Sequence, residues 1–226
     1  MSRIQATLLV FLAIGCGTIP TVRTLGAGES EGTLSIGGPV IGIFGTYIPV
    51  PIVELGGLYG LTDDLTVHGR LNVTTAVFGT FGIDLGATWQ VLRQAEASAI
   101  PALALGITAY GFANPSDFYG AADVSLAASW RIRTRDLAYL ALRNFVGPKF
   151  DVRSAGSVGW LPEIALGYEW RVAEPIALVL EAGWAAPFTR TAGVPVGYSS
   201  FGAGAFPVNV AVRFYPGQSG AWERLR

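Results

Sequence analysis

The chain is short of charge, and short of the side chains that many enzymes work with. Of its 226 residues 14% are charged, where an average soluble domain carries roughly 25%. A water-facing surface of this size would be under-supplied. There is one cysteine and one histidine. One cysteine excludes an internal disulfide framework, and one His, one Cys and scattered carboxylates cannot supply the usual metal-ligand sets. Neither a metal nor another cofactor is expected. Lys and Arg number 15 against 16 Asp and Glu, for a formal net charge of −1, which excludes the basic footprint of a nucleic-acid binder. No internal run approaches the ~18 apolar residues of a spanning helix, although 51% of the chain is hydrophobic. No glycine loop follows a strand and opens a helix, so the 30 glycines read as strand and turn residues.

What is present begins with an export signal. Met1–Arg3 is a short positive region, and residues 4–14 (IQATLLVFLAI) form an apolar run broken by one Gln. These are the parts of a secretory signal, too short for a permanent anchor. The run closes on LAIGC, residues 12–16. That ending resembles the lipobox of bacterial lipoproteins, in which a small residue precedes a cysteine that is diacylated and becomes the first mature residue. The resemblance implies lipidation of Cys16, and Gly17 after it implies outer-membrane delivery. It departs from the pattern in having Ala13 three places before the cysteine. A lone thiol in an oxidising compartment also needs a role other than a disulfide. Residues 1–15 are thus assigned to a signal peptide and 16–31 to a lipidated tether, since Ile19–Glu31 shows no consistent period and contains Pro, Gly, Ser and Glu.

From Gly32 onward the pattern is that of strands. Residues 65–74 (LTVHGRLNVT) place Leu65, Val67, Leu71 and Val73 on one side and His68, Arg70 and Asn72 on the other, the two-residue period of a β-strand with unlike faces. Segments 32–45, 50–61, 65–75, 79–92, 100–112, 118–132, 137–146, 158–172, 176–186 and 205–215 read alike, and no helical period intervenes. Each is near the ~9–11 residues that cross a bilayer at a tilt. Short, mostly charged connections (Thr62–Asp64, Arg133–Asp136, Ala173–Pro175 among them) alternate with longer ones, the longest at 147–157 and 187–204. Asp63 and Asp64 read as a hairpin turn. The sequon at Asn72–Thr74 lies mid-strand and reads as chance.

The tryptophans indicate which face meets lipid. Trp89, Trp130, Trp160, Trp170 and Trp184 fall on the apolar face near strand ends, as two aromatic girdles at the edges of an apolar band would. A soluble sandwich would bury them mid-strand. With lipid outside, the opposite faces gather Glu54, His68, Arg70, Asp84, Asp123, Arg131, Arg143, Glu163, Glu169, Arg171, Glu181 and Arg213 in the lumen. Unpaired charges there would cost several kcal/mol each, so a mutually paired charge network is expected. The fold class is all-β: a closed antiparallel up-and-down transmembrane β-barrel of about ten strands over residues 32–216, with eight or twelve open, followed by a tail, 217–226.

The stretches LTVHGRLNV, FGIDLGATW and FPVNVAVRF resemble the small bacterial outer-membrane β-barrel family. Its members include structural proteins, adhesins, narrow channels and lipid-modifying enzymes. Many end on a phenylalanine read by the assembly machinery, whereas here Phe214-Tyr215 is followed by eleven further residues, 216–226. The resemblance implies an outer-membrane location with periplasmic termini. Outer-membrane lipid, the barrel-assembly machinery and the lipoprotein-maturation machinery are the implied partners, for a monomer whose external ligand is unknown. A structural or surface-interaction role with a narrow, charge-filled lumen is expected, and no enzymatic activity. A small-solute channel, a lipid A-modifying enzyme using His68, and a soluble lipocalin-like binder with the faces reversed are the alternatives. His68 has no Ser nearby in sequence to serve as nucleophile, so a lumen residue paired with an acid is expected.

Overall fold

The computed structural model describes residues 19–43, 46–49, 51–95, 98–132, 136–148, 158–190 and 203–216. Along the chain these form β1 (Ser30–Ile43), β2 (Thr46–Pro49), β3 (Ile52–Thr62), β4 (Leu65–Asn72), α1 (Val73–Val77), β5 (Phe81–Leu92) and β6 (Ala102–Ala113). Then follow β7 (Phe118–Arg131), β8 (Leu137–Pro148), β9 (Val158–Ala173), β10 (Ile176–Arg190), β11 (Ala203–Ala205) and β12 (Pro207–Phe214).

Two of these are continuations of a neighbour. Against β1, Val40 lies opposite Pro49 and Gly37 opposite Ile52. β2 and β3 therefore share one register and form one strand, interrupted where Pro51 has no amide hydrogen to give to a ladder. Likewise Ala185 faces Ala205 and Ala182 faces Val208, so β11 and β12 are one strand broken at Phe206. Each strand pairs antiparallel with the next, and β12 closes the ring by pairing with both β10 and β1. The result is a closed antiparallel barrel of ten strands. Closure leaves no edge, which is the condition for strands to cross lipid with every ladder hydrogen bond made. The connections at one end are short; β9 and β10 run for 16 and 15 residues, beyond what a bilayer needs, and project at the other, loop end. The expected long loops lie largely outside the described residues.

The two faces are inverted relative to a soluble protein. Along β4, Thr66, His68, Arg70 and Asn72 are buried, while Leu71 between them is 42% exposed. Leu85 (58%), Leu126 (43%) and Leu166 (64%) stand outward on other strands, and Glu163, Glu169, Glu181, Arg143 and Arg213 are buried inward. Contiguous outward apolar surface on this scale is unfavourable in water and neutral in hydrocarbon.

One strand is shorter than its sequence suggests. The alternation to residue 75 predicts strand, yet β4 stops at Asn72 and α1 begins. The Asn72 side chain accepts the amide hydrogen of Thr75 at 3.0 Å, an N-cap that competes with the ladder. The Thr75 hydroxyl returns a bond to the Asn72 carbonyl at 3.1 Å. Val73 is thus a helical residue at the loop end rather than a member of the strand's outward row.

Candidate functional site

Every lumen residue expected from the alternation is inward. Arg131, near the turn end of β7, is half-buried and the others are buried. They form three local groups. In the first, Arg70 Nε stands 3.8 Å from Asp84 Oδ1 across the β4–β5 ladder, where the two are direct partners. In the second, Arg143 reaches Glu181 at 2.6 Å and Glu163 at 3.8 Å, and Glu181 also accepts from Tyr139 Oη (2.9 Å) and Asn209 Nδ2 (3.1 Å). In the third, Arg213 bridges Glu169 (3.0 Å) and Glu31 (3.4 Å), with Tyr215 Oη donating to Glu169 at 3.0 Å. Arg171 gives its guanidinium to the Glu174 carbonyl and lies over the Tyr215 ring, 4.3 Å from its centroid. Glu54 is buried opposite Asn72. Charge-assisted, multiply bonded groups of this kind are how a low-dielectric interior tolerates ions.

Two expectations change. Asp123 is bonded by the Tyr110 hydroxyl at 2.6 Å, a partner the polar-face list did not include. His68 does not pair with an acid: its Nε2 meets Thr108 Oγ1 at 3.3 Å, and its Nδ1 has no hydrogen-bond partner among the described residues. The ring has space because Gly86 is its direct partner on β5, where a Cβ would collide with the imidazole and with the Ile107 carbonyl. Gly167 does the same for the Tyr139 ring. Several lumen glycines are therefore spaces cut for a large neighbour.

The largest departure concerns the expected tether. Residues 19–29 do not lead away from the barrel; they cross its turn-end mouth and turn inward. At the rim, Gly28 N–H donates to the Gly60 carbonyl (2.8 Å) and Gly60 N–H to the Glu29 carbonyl (2.9 Å). Ala27 N–H donates to Asp63 Oδ1 (3.0 Å), and Leu25 N–H to Thr66 Oγ1 (2.8 Å). Arg23 spans to Gln94 Oε1 (2.8 Å) and to Ser129 Oγ (2.9 Å). Burial, with Arg131 nearby, pushes the Arg23 guanidinium down to about 10. Pro20 offers its carbonyl to Arg213 at 3.2 Å.

Ile19 and Val22 pack into a recess of small lumen side chains, Ala127, Ala141, Ala165 and Ala211, walled by Tyr139 and Val179. Leu25 sits apart, with Leu58, Ala177 and Tyr215. Fully burying side chains of this size is worth ~1.5–3 kcal/mol each. Nearer the loop end, Tyr110, Phe112 and Phe145 form an aromatic cluster, Tyr110 and Phe145 with centroids 5.9 Å apart. Among the described residues, two of the voids beside these layers measure about 10 Å³ each, with room for about one water apiece.

Trp89, Trp130, Trp160 and Trp170 lie toward strand ends, whereas Trp184 is the ninth of the fifteen residues of β10, which runs on past the expected end to Arg190. Trp89, Trp160, Trp170 and Trp184 are exposed on the outer face, and Trp130 is half-buried with its indole N–H on the Ala99 carbonyl at 3.1 Å. Trp184 stacks on Phe206 at 5.8 Å. Cys16 lies outside the described residues. Alternation placed Asn209 on the polar face beside Arg213 but not in the charge network, and it missed Glu31, Tyr110, Tyr139 and Tyr215, as well as the whole inner segment. The tyrosines hold polar-face positions and were legible as such; the segment's only signal is Ile19, Val22 and Leu25 at three-residue spacing.

No protein-family model matches the chain, and no curated protein matches it in sequence. Among solved structures, the NanC porin is similar over 83% of this chain and 99% of its own, at 12% identity and a TM-score of 0.42. The translocator domain of the autotransporter NalP from Neisseria meningitidis is similar over 93% of this chain and 94% of its own, at 9% identity and 0.40. The outer-membrane protease OmpT from Escherichia coli is similar over 83% and 94%, at 11% identity and 0.38. All three are bacterial outer-membrane β-barrel proteins, and the likeness extends to barrel architecture and no further.

Proposed function

We propose that this chain is an outer-membrane β-barrel with a sealed lumen, serving a structural or surface-interaction role rather than passing solutes. The observation that carries this reading is the inversion of faces: an outward apolar band around an interior of buried, paired charges. The inner segment and the aromatic cluster support closure, since each occupies a different level of the lumen. Ten strands also sit close to the size at which side chains alone fill a barrel, far from the ~16 of a wide aqueous pore. The test is a denaturing gel with and without heating, followed by planar-bilayer recording of the folded protein. A heat-modifiable band with no steady conductance is expected. Stepwise conductance would replace this reading with the channel. Solubility without detergent would replace it with the lipocalin-like binder.

A lipid anchor at Cys16 competes with the seated segment. Ile19 is buried in the alanine-lined recess, and the three residues from Cys16 to Ile19 reach at most about 10 Å when extended. The short span supports a reading in which acylation of Cys16 and seating of residues 19–29 exclude one another. On this reading the seated chain is not acylated, and barrel-assembly machinery and lipid are its partners. Metabolic labelling with palmitate decides it: Cys16-dependent label on folded protein with residues 19–29 protected would reject the seated geometry.

Two features favour the non-enzymatic reading over the enzymatic alternative. Ser125 and Asp123 line the same void as His68, but Asp123 is held by Tyr110 and the void admits about one water. Replacing His68 with Asn is expected to leave lipid A unchanged by mass spectrometry.

A further inference from the structure

Residues 19–29 are bound as a ligand is bound. Ile19, Val22 and Leu25 recur every third residue, the period of an extended polyproline-like chain. The first two enter the alanine-lined recess, and the third enters a second pocket. Backbone amides between and beyond them are met by Gln90, Thr66 and Asp63 side chains. The barrel has been shaped to this occupant. Ala127 faces Ala141, and Ala141 faces Ala165, across three adjacent strands. Small residues at one level of a ten-strand lumen leave an apolar hollow, and Ile19 and Val22 occupy it. At the rim, a Cβ on Gly60 would strike the Gly26 carbonyl, so a side chain is missing where the segment's backbone lies on the wall.

The segment also helps to divide the space that remains. Thr21 and, from the wall, Arg70 line both of these voids. One is lined further by His68, Asp123 and Arg143, the other by Glu31 and Arg213. Withdrawing the segment would join the two and open them toward the turn end, while the Tyr110–Phe112–Phe145 cluster remains beyond them.

We propose that the lumen contains a polar, blind-ended chamber whose entrance is a binding groove for an extended peptide with apolar side chains three residues apart and a cation between the last two. In this chain residues 19–29 fill that groove in cis. The inference rests on the sealed-barrel reading and goes beyond it: the seal is a bound peptide, which can be displaced and replaced.

The test places a reporter in the chamber. In the full chain, Cys16→Ser removes the native thiol and Ser125→Cys puts one on the void wall; Ser116→Cys, on an exposed loop, is the accessible control. Reaction with a charged, membrane-impermeant methanethiosulfonate is followed in detergent, on protein shown to be folded by heat-modifiable migration. In the parent, the thiol at 125 is expected to react about a hundredfold more slowly than the control. Adding Ile19→Asp and Val22→Asp is expected to raise that rate at least about tenfold and to expose Arg23 to trypsin. A synthetic peptide of residues 19–29 should restore protection, and the same peptide with Asp at positions 19 and 22 should not. Should the double variant fail to fold, Gly60→Leu unseats the segment from the opposite side. A fast reaction in the parent overturns the proposal. So does a folded, trypsin-sensitive variant whose thiol stays protected, or a native peptide that gives no protection. Failure of the sealed-barrel reading appears separately, as stepwise conductance of the parent in planar bilayers or loss of its heat-modifiable migration.

Discussion

The outer and inner faces of the same strands obey opposite rules. On β7, Leu126 stands outward and exposed, while Asp123, three residues earlier, is buried under the Tyr110 hydroxyl. In a soluble protein the apolar face is the stabilising one and the polar face is tolerant. Here the outer face needs only to avoid charge, whereas the inner face must satisfy every ion it holds. Specificity and most of the fragility therefore lie inside. The two faces should fail differently under substitution, the inner one most severely.

The largest effect is expected at Arg143, which holds Glu181 at 2.6 Å and Glu163 at 3.8 Å. Arg143→Leu leaves two buried carboxylates uncompensated and is expected to cost about 3–5 kcal/mol in urea unfolding from lipid vesicles. Adding Glu181→Gln should recover part of that loss, because one stranded charge is removed. A smaller but still large effect belongs to the outside: Leu126→Arg is expected to cost about 2–4 kcal/mol in the same assay if it faces the bilayer midplane, and little if that face meets water. Third is the cap. Asn72→Ala removes the acceptor that turns the chain from β4 into α1 and should lose about 1 kcal/mol. Smallest is the exposed pair between Arg93 and Asp64, 2.6 Å apart; Arg93→Ala should change stability by about 0.2–1 kcal/mol, and less at high salt.

Much of this was legible in the sequence because one variable, the two-residue period, carries it. Alternation at residues 65–72 or 118–131 assigns both faces at once, so it carries the inward charges and the outward tryptophans together. Three things escaped that variable. α1 is five residues long, too short for a helical period, and its one sign is the Asn72 cap. Which charges pair depends on register across non-adjacent strands: Arg213 meets Glu169 from β12 to β9, and no local pattern encodes that contact. The inner segment escaped because its order is borrowed. Ile19–Glu29 pairs with no strand through a continuous ladder and has no face of its own until the alanine recess surrounds it. Gly28, which reads as tether, takes a positive φ of 80° at the rim turn, and glycine at 60 lets the backbone of Gly26 lie close on the wall.

The central claim is that the tryptophan-bearing face meets lipid at two interfacial levels. Quenching of tryptophan fluorescence tests it, with the full chain reconstituted in vesicles whose lipids carry bromine either near the glycerol or near the chain end. The account predicts strong quenching by the shallow bromines and weaker quenching by the deep ones, because Trp89, Trp130, Trp160 and Trp170 lie toward strand ends. An unquenched protein that stays in the aqueous phase would contradict it.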